Sequence, residues 1–151
     1  MHKPIKRLES LKPLSRDHHH GLLLCWKIRQ GLQNNVNPER IKSYADWFWQ
    51  THLRPHFEIE EKHVFTLLPD DDVNKIRAIK EHRKIQRLFE KSADLIKNLN
   101  RMEEELVKHI RFEERVLFNQ IQEIATVEQL HIIENIHSGK FEDNLEDEFW
   151  K

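Results

Sequence analysis

Two ten-residue stretches of this chain are variants of one pattern. His56-Phe57-Glu58-Ile59-Glu60-Glu61-Lys62-His63-Val64-Phe65 and His109-Ile110-Arg111-Phe112-Glu113-Glu114-Arg115-Val116-Leu117-Phe118 each read His, three residues, Glu-Glu, two residues, an apolar residue and Phe. A helix turns about 100° per residue, so positions four apart stand about 40° from each other on one face. His56 with Glu60, and His109 with Glu113, can therefore each aim an imidazole and a carboxylate at one point. That pairing suits a metal ion, because imidazole is a borderline nitrogen ligand and a carboxylate can bridge two ions. Two such helices facing each other bring four ligands to one interior place, which points the whole chain toward a helical bundle.

Composition agrees with that fold class. Among 151 residues, 38% are hydrophobic and 34% charged, with 3 Gly and 5 Pro, a balance that favours long helices with polar outer faces. The length suits one domain spanning 1–151. A formal net charge of −1 gives no drive toward nucleic acid or an anionic membrane. The longest apolar run, Leu22 to Trp26, is too short to span a bilayer. The basic start lacks an apolar signal core, so secretion is not expected. A lone Cys25 fits a reducing compartment, and a cytoplasmic location is expected.

Taken in order, residues 1–13 read as an irregular arm, with Pro4 and Pro13 against helix and Lys3, Lys6, Arg7 and Lys12 solvated. Helix one is predicted from Ser15 as N-cap to Gln30, with Leu14, His18, Leu22, Cys25 and Ile28 inward. His18 is the preferred ligand there and His19 its rival. A loop follows from Gly31 to Asn37, and helix two runs from Pro38 to Leu67 with a kink or local break at Pro55. Asp70-Asp71-Asp72 reads as an N-cap, since it lacks the spacing, Gly and final Glu of a calcium loop. Helix three is predicted from Asp72 to Asn98 with His82 inward, and Asn98-Leu99-Asn100 as its connection to helix four. Helix four covers Arg101 to Gln122 with Met102, Leu106, His109, Glu113, Leu117 and Ile121 inward. Thr126 with Gln129 makes a capping box for a short fifth helix, ended by Ser138-Gly139. The tail 140–151 is acidic and aromatic, and either folds back over the bundle or meets a partner.

These residues resemble the hemerythrin-like, or HHE cation-binding, domains. The resemblance rests on Asp17-His18, His56-x-x-x-Glu60, Glu81-His82 and His109-x-x-x-Glu113, in that order on four helices, and spans about residues 14 to 121. It implies an all-α, up-down-up-down four-helix bundle with a short extra C-terminal helix, and a non-haem di-iron centre at its middle. By the same resemblance Glu60 and Glu113 bridge the irons, an oxo or hydroxo group completes the bridge, and His18, His56, His82 and His109 are terminal ligands. One departure stands out. Where the oxygen-carrying branch has a second histidine one turn beyond that of helix three, this chain has Gln86. The centre is then one His short, with His52, His63 or water to complete it. An open position favours binding or sensing oxygen, peroxide or nitric oxide, in redox or iron homeostasis, over reversible carriage.

Three rival readings remain in view. A ferritin-like oxidase or iron store uses Glu-x-x-His, which Glu60-x-x-His63, Glu128-x-x-His131 and Glu134-x-x-His137 match formally, but helices one and three offer His18 and His82 rather than a lone Glu. A zinc site at His52-x-x-x-His56 lacks a Cys cluster or a nearby third ligand. A metal-free helical interaction domain would need six ligands to share four inward stripes by coincidence.

Overall fold

In a computed structural model, residues 6–136 and 140–151 are described. They form five helical rods and no strand. We name them α1 (Lys12–Gln33), α2 (38–67), α3 (Val73–Glu90), α4 (95–124) and α5 (Val127–Ile136). The three connections between the first four rods are four or five residues long, so successive rods run antiparallel, up-down-up-down. α1 lies against α4 and α2, and α3 lies against α4.

Rod ends differ from the sequence expectation in instructive ways. α1 begins at Lys12, not Ser15, because Pro13 occupies the first turn, where its missing N–H has no partner to lose. It continues through Gly31 to Gln33, and Asn35, at φ 55°, makes the turn. Leu22 is not on the inward face; Gly21 is, and a Cβ there would stand 2.9 Å from Ile110 Cδ1. α3 stops at Glu90, not Asn98. The turn is 91–94, closed by Asp94 in the left-handed region at φ 48°, which Asp tolerates better than most residues. Asn98 is inside α4, where its side chain donates to the Ala93 carbonyl at 2.7 Å. Two expected caps form as written. Asp72 accepts from the backbone N–H of Asn74 and Lys75, and Thr126 and Gln129 exchange hydrogen bonds at 2.9 and 3.1 Å. His137 and the expected stop at Ser138-Gly139 lie outside the described residues, as do Lys3 and Pro4 of the arm.

The rods α2 and α4 are not uniform. Each contains a π turn that opens on the motif glutamate, Glu60–Val64 in α2 and Glu113–Leu117 in α4. Such wide turns cluster at functional sites because they re-aim the residues around them. A further π turn, Trp49–Leu53, precedes Pro55 and is the local break expected there.

Two apolar clusters fill the interior on either side of the motif level. One gathers Leu24, Ile28, Ile41, Phe48, Trp49, Phe89 and Met102, the other Leu11, Leu14, Phe65, Phe118 and Ile121. The chain ends are tied to this bundle. Arg7, expected to be solvated, donates to Asn119 and Gln122 on α4 at 3.2 and 3.1 Å and to the Glu114 carbonyl at 2.6 Å. The segment 140–151 folds back as a strap. Asp143 accepts from Lys27 and Tyr44, Asp147 pairs with Arg40, and Phe149 is buried beside Gly31. A Cβ at Gly31 would lie 2.7 Å from Ile41 Cδ1 and 2.8 Å from Phe149 Cε2. Gly31→Val therefore overpacks a filled joint and is expected to destabilise by about 1–3 kcal/mol, read as a lowered midpoint in urea unfolding.

Candidate metal centre

The wide turns of α2 and α4 and the inward stripes of α1 and α3 deliver six side chains to one level. His18, His56, Glu60, His82, His109 and Glu113 are all buried, four of them fully. They form two overlapping groups whose potential ligand atoms lie within 4.8 Å of one another. One is His18, His56, Glu60 and Glu113; the other is Glu60, His82, His109 and Glu113. Both carboxylates are common to the two groups. Glu60 Oε1 stands 3.1 Å from His56 Nε2 and 3.2 Å from His82 Nε2. Glu113 Oε1 stands 2.5 Å from His109 Nε2 and 3.5 Å from His18 Nε2.

A second set of acids holds the histidines from behind. Glu114 meets His18 Nδ1 at 2.7 Å, Asp17 meets His56 Nδ1 at 2.9 Å, and Glu61 and Glu81 meet His82 and His109 Nδ1 at 2.8 Å each. A carboxylate accepts, so each ring carries its N–H on Nδ1 and turns Nε2 inward. The order is cyclic. The acid on α1 serves the histidine on α2, that on α2 serves α3, that on α3 serves α4, and that on α4 serves α1. Each acid is the sequence neighbour of an inward residue on its own rod: Asp17-His18, Glu60-Glu61, Glu81-His82 and Glu113-Glu114. Arg83 and Arg77 hold Glu61 and Glu81 in turn, and Ser15 holds Glu114. The closing Phe of each motif follows the same direction. Phe65 lies 5.3 Å from His82 and Phe118 stacks 5.1 Å from His18.

The six converge on a point that suits a cation. Both oxygens of Glu60, both of Glu113, and Nε2 of His82 and His109 are shielded from water without a hydrogen-bond partner, since the short approaches above lack hydrogen-bond geometry. His18 and His56 turn their Nε2 atoms toward each other at 3.2 Å. With Nδ1 protonated, two facing lone pairs repel unless something positive stands between them. Buried carboxylates left unpaired are among the most costly groups in a protein. A proton or a metal ion relieves both. Burial opposes charge on His18 and His82, yet the close carboxylates outweigh it, Glu113 and Glu114 at His18 and Glu113, Glu60 and Glu61 at His82, and raise them to about 9 and about 10. His56 and His109 also rise: burial opposes it, but the Glu60 charge outweighs it at His56 and the Glu113 charge at His109. For Glu113 burial acts upward, and His109 and Glu60 carry it well below the usual carboxylate range. A metal ion binds imidazole without its proton and carboxylate in its ionised form, so cation uptake is expected to release protons from these groups.

The six side chains named from the sequence all turn inward to one level, and of the two candidates on α1 His18 is buried and His19 exposed. Sequence reasoning missed the supporting roles of Glu61, Glu81 and Glu114, and it quoted Asp17 beside His18 without a role toward His56. His52 and His63, the two spare histidines, belong to neither group. His52 packs against Trp47, Phe48 and Phe141. Gln86 bonds Glu90 on the outer face of α3. Among the described residues no helix is long and apolar enough to cross a membrane.

Comparison with known proteins agrees with this arrangement. No curated protein and no solved structure matches the chain. The model of one family, the Hemerythrin HHE cation binding domain, matches residues 10–121, from the turn before α1 to the last full turns of α4. With that span covering both shared glutamates, all four inward histidines and the four acids behind them, the chain belongs to the hemerythrin HHE cation-binding family.

Proposed function

We propose that this protein holds two iron ions side by side. His18 and His56 serve one, His82 and His109 serve the other, and Glu60 and Glu113 bridge them. The observation that carries this reading is the sharing of two unbonded, fully buried carboxylates between two His pairs. A single ion would use one pair and leave the other facing empty space. Mixed imidazole and carboxylate donors without thiolate suit iron better than a structural zinc. Each half has two histidines and two shared carboxylates, fewer protein ligands than an octahedral ion takes, so positions stay open.

Bound there, iron would supply open coordination positions for a small exogenous ligand: oxygen, peroxide or nitric oxide. The chain's own contribution is to orient and to exclude. The acids behind the rings fix the tautomer that turns each lone pair inward. The apolar clusters at either end keep bulk water out. Phe57 stacks on His82 at 3.7 Å and walls that half. The role is ligand binding or sensing in redox or iron homeostasis, in a reducing compartment such as the cytoplasm, where the buried Cys25 stays a thiol. The ferritin-like reading has no support in the site, because His63 stands outside both groups.

The test is metal analysis with absorption spectroscopy on protein grown with iron. The expected result is about two irons per chain, on the four-helix ligand logic, and a charge-transfer band that moves on addition of azide. Zinc in place of iron, or one ion per chain, would overturn the reading.

A further inference from the structure

The wide turn Glu113–Leu117 leaves a backbone group to be satisfied. In a regular helix the Phe118 N–H would donate to the carbonyl four residues back, that of Glu114. Here it donates to Glu113, five back, and the Glu114 carbonyl loses its helical donor. Arg7, from the N-terminal arm, supplies one: its Nη2 donates to the Glu114 carbonyl at 2.6 Å. The same Nη2 lies 3.8 Å from Glu114 Oε1, and the guanidinium carbon lies 5.4 Å from the centre of the Phe118 ring. Glu114 and Phe118 are the groups that hold His18 from α4, the first through Nδ1 at 2.7 Å and the second by stacking at 5.1 Å. Arg7 thus touches both supports of one inward histidine and the turn that joins them. The arm is itself gripped on either side of Arg7. Gln122 accepts from the Leu8 N–H at 2.9 Å and donates to the Lys6 carbonyl at 3.2 Å. Arg7 Nη1 donates to Gln122 and Asn119, so the planar guanidinium is held by three acceptors at once.

We propose that Arg7 is a positioning residue of the metal centre: it completes the wide turn of α4 and, through Glu114 and Phe118, aims the His18 ring. The proposal rests on the two-ion reading above, in which His18 serves one half only. Without the guanidinium the Glu114 carbonyl has to find another donor, because a backbone acceptor left unpaired beside the core is costly. The shift that this takes moves Glu114 and Phe118 against His18. The arm is on this account a working part of the site, although it lies outside the bundle and far from the ligands in sequence.

Two measurements on the full chain test this. In the metal-free protein, nitrogen-15 NMR follows the ring Nδ1–H of each inward histidine. In Arg7→Met that of His18 is expected to exchange with water about tenfold faster, while those of His82 and His109 keep the parent rate. In chelator competition with cobalt(II), affinity at the His18–His56 half is expected to fall about tenfold, the low end for losing a group that orients a ligating histidine, with the His82–His109 half unchanged. Arg7→Lys keeps the charge and one donor and should recover part of both losses. Gln122→Ala frees the arm without removing the guanidinium and should give a smaller loss of the same kind. Arg40→Met cuts the pair with Asp147 that ties the strap, and should leave both measurements at the parent value. Parent-like exchange and affinity in Arg7→Met, or an equal fall at both halves, would overturn the positioning role. A parent chain that takes up no cobalt, with the His18 signal still responding to Arg7→Met, would sink the metal-centre reading and leave the link between Arg7 and His18 standing.

Discussion

Glu113→Ala is expected to empty both halves of the centre at once, and Glu60→Ala to do the same. Each carboxylate belongs to both ligand groups, so on the two-ion reading proposed above one substitution removes a donor from both ions. His82→Ala, by contrast, touches one group and should leave about one ion per chain, by the same shared-ligand geometry. The contrast between losing two ions and losing one is the signature of a bridge, and metal analysis of the three variants reads it directly. Loss of a carboxylate also strands charge among raised-pKa imidazoles. The metal-free Glu113→Ala chain should lose about 3–5 kcal/mol of stability, the usual cost of removing one partner from a buried ionic cluster. Equal iron content in the Glu113→Ala and His82→Ala chains would show that the carboxylates do not bridge.

The second large effect is expected one layer out. Glu61→Ala removes the acceptor that holds His82 Nδ1 at 2.8 Å and also frees Arg83. Affinity at the His82–His109 half should fall about 10–100-fold, the usual cost of losing the group that orients a ligating histidine. Asp17→Ala should do the same at the His18–His56 half. Neither residue touches the metal position, so a chelator competition titration should show two classes of site where the parent shows one. Glu61→Gln keeps an oxygen that accepts from Nδ1–H and should recover part of the loss. A uniform affinity in Glu61→Ala, equal to the parent, would mean that packing alone orients His82.

The fold and the six convergent side chains were legible because their signal is local. His-x-x-x-Glu stands on one face of any helix, and the stripes of α3 and α4 assign His82, His109 and Glu113 without reference to another rod. The turn between those rods was not legible. Lys91-Ser92-Ala93-Asp94 carries no Gly or Pro, while Asn98-Leu99-Asn100 looks like a loop because Asn favours turns. In the fold Asp94 takes the left-handed conformation, and the Asn98 side chain closes the turn from inside α4. The acids behind the histidines were hidden for another reason. Each is written beside one inward residue but acts on a histidine of the next rod, and spacing within a helix carries no information about that rod. The strap was unreadable because Phe141, Phe149 and Trp150 follow no helical or strand period.

The closed order of acids has a consequence for assembly. Sliding any one rod by a single pitch, about 5.4 Å, severs two supports together: the one it gives and the one it receives. No partly slipped arrangement keeps three. Cation capture therefore rewards only the aligned bundle and draws population toward it by mass action. The ion is in this sense a proofreader of helix alignment, checked at four places at once.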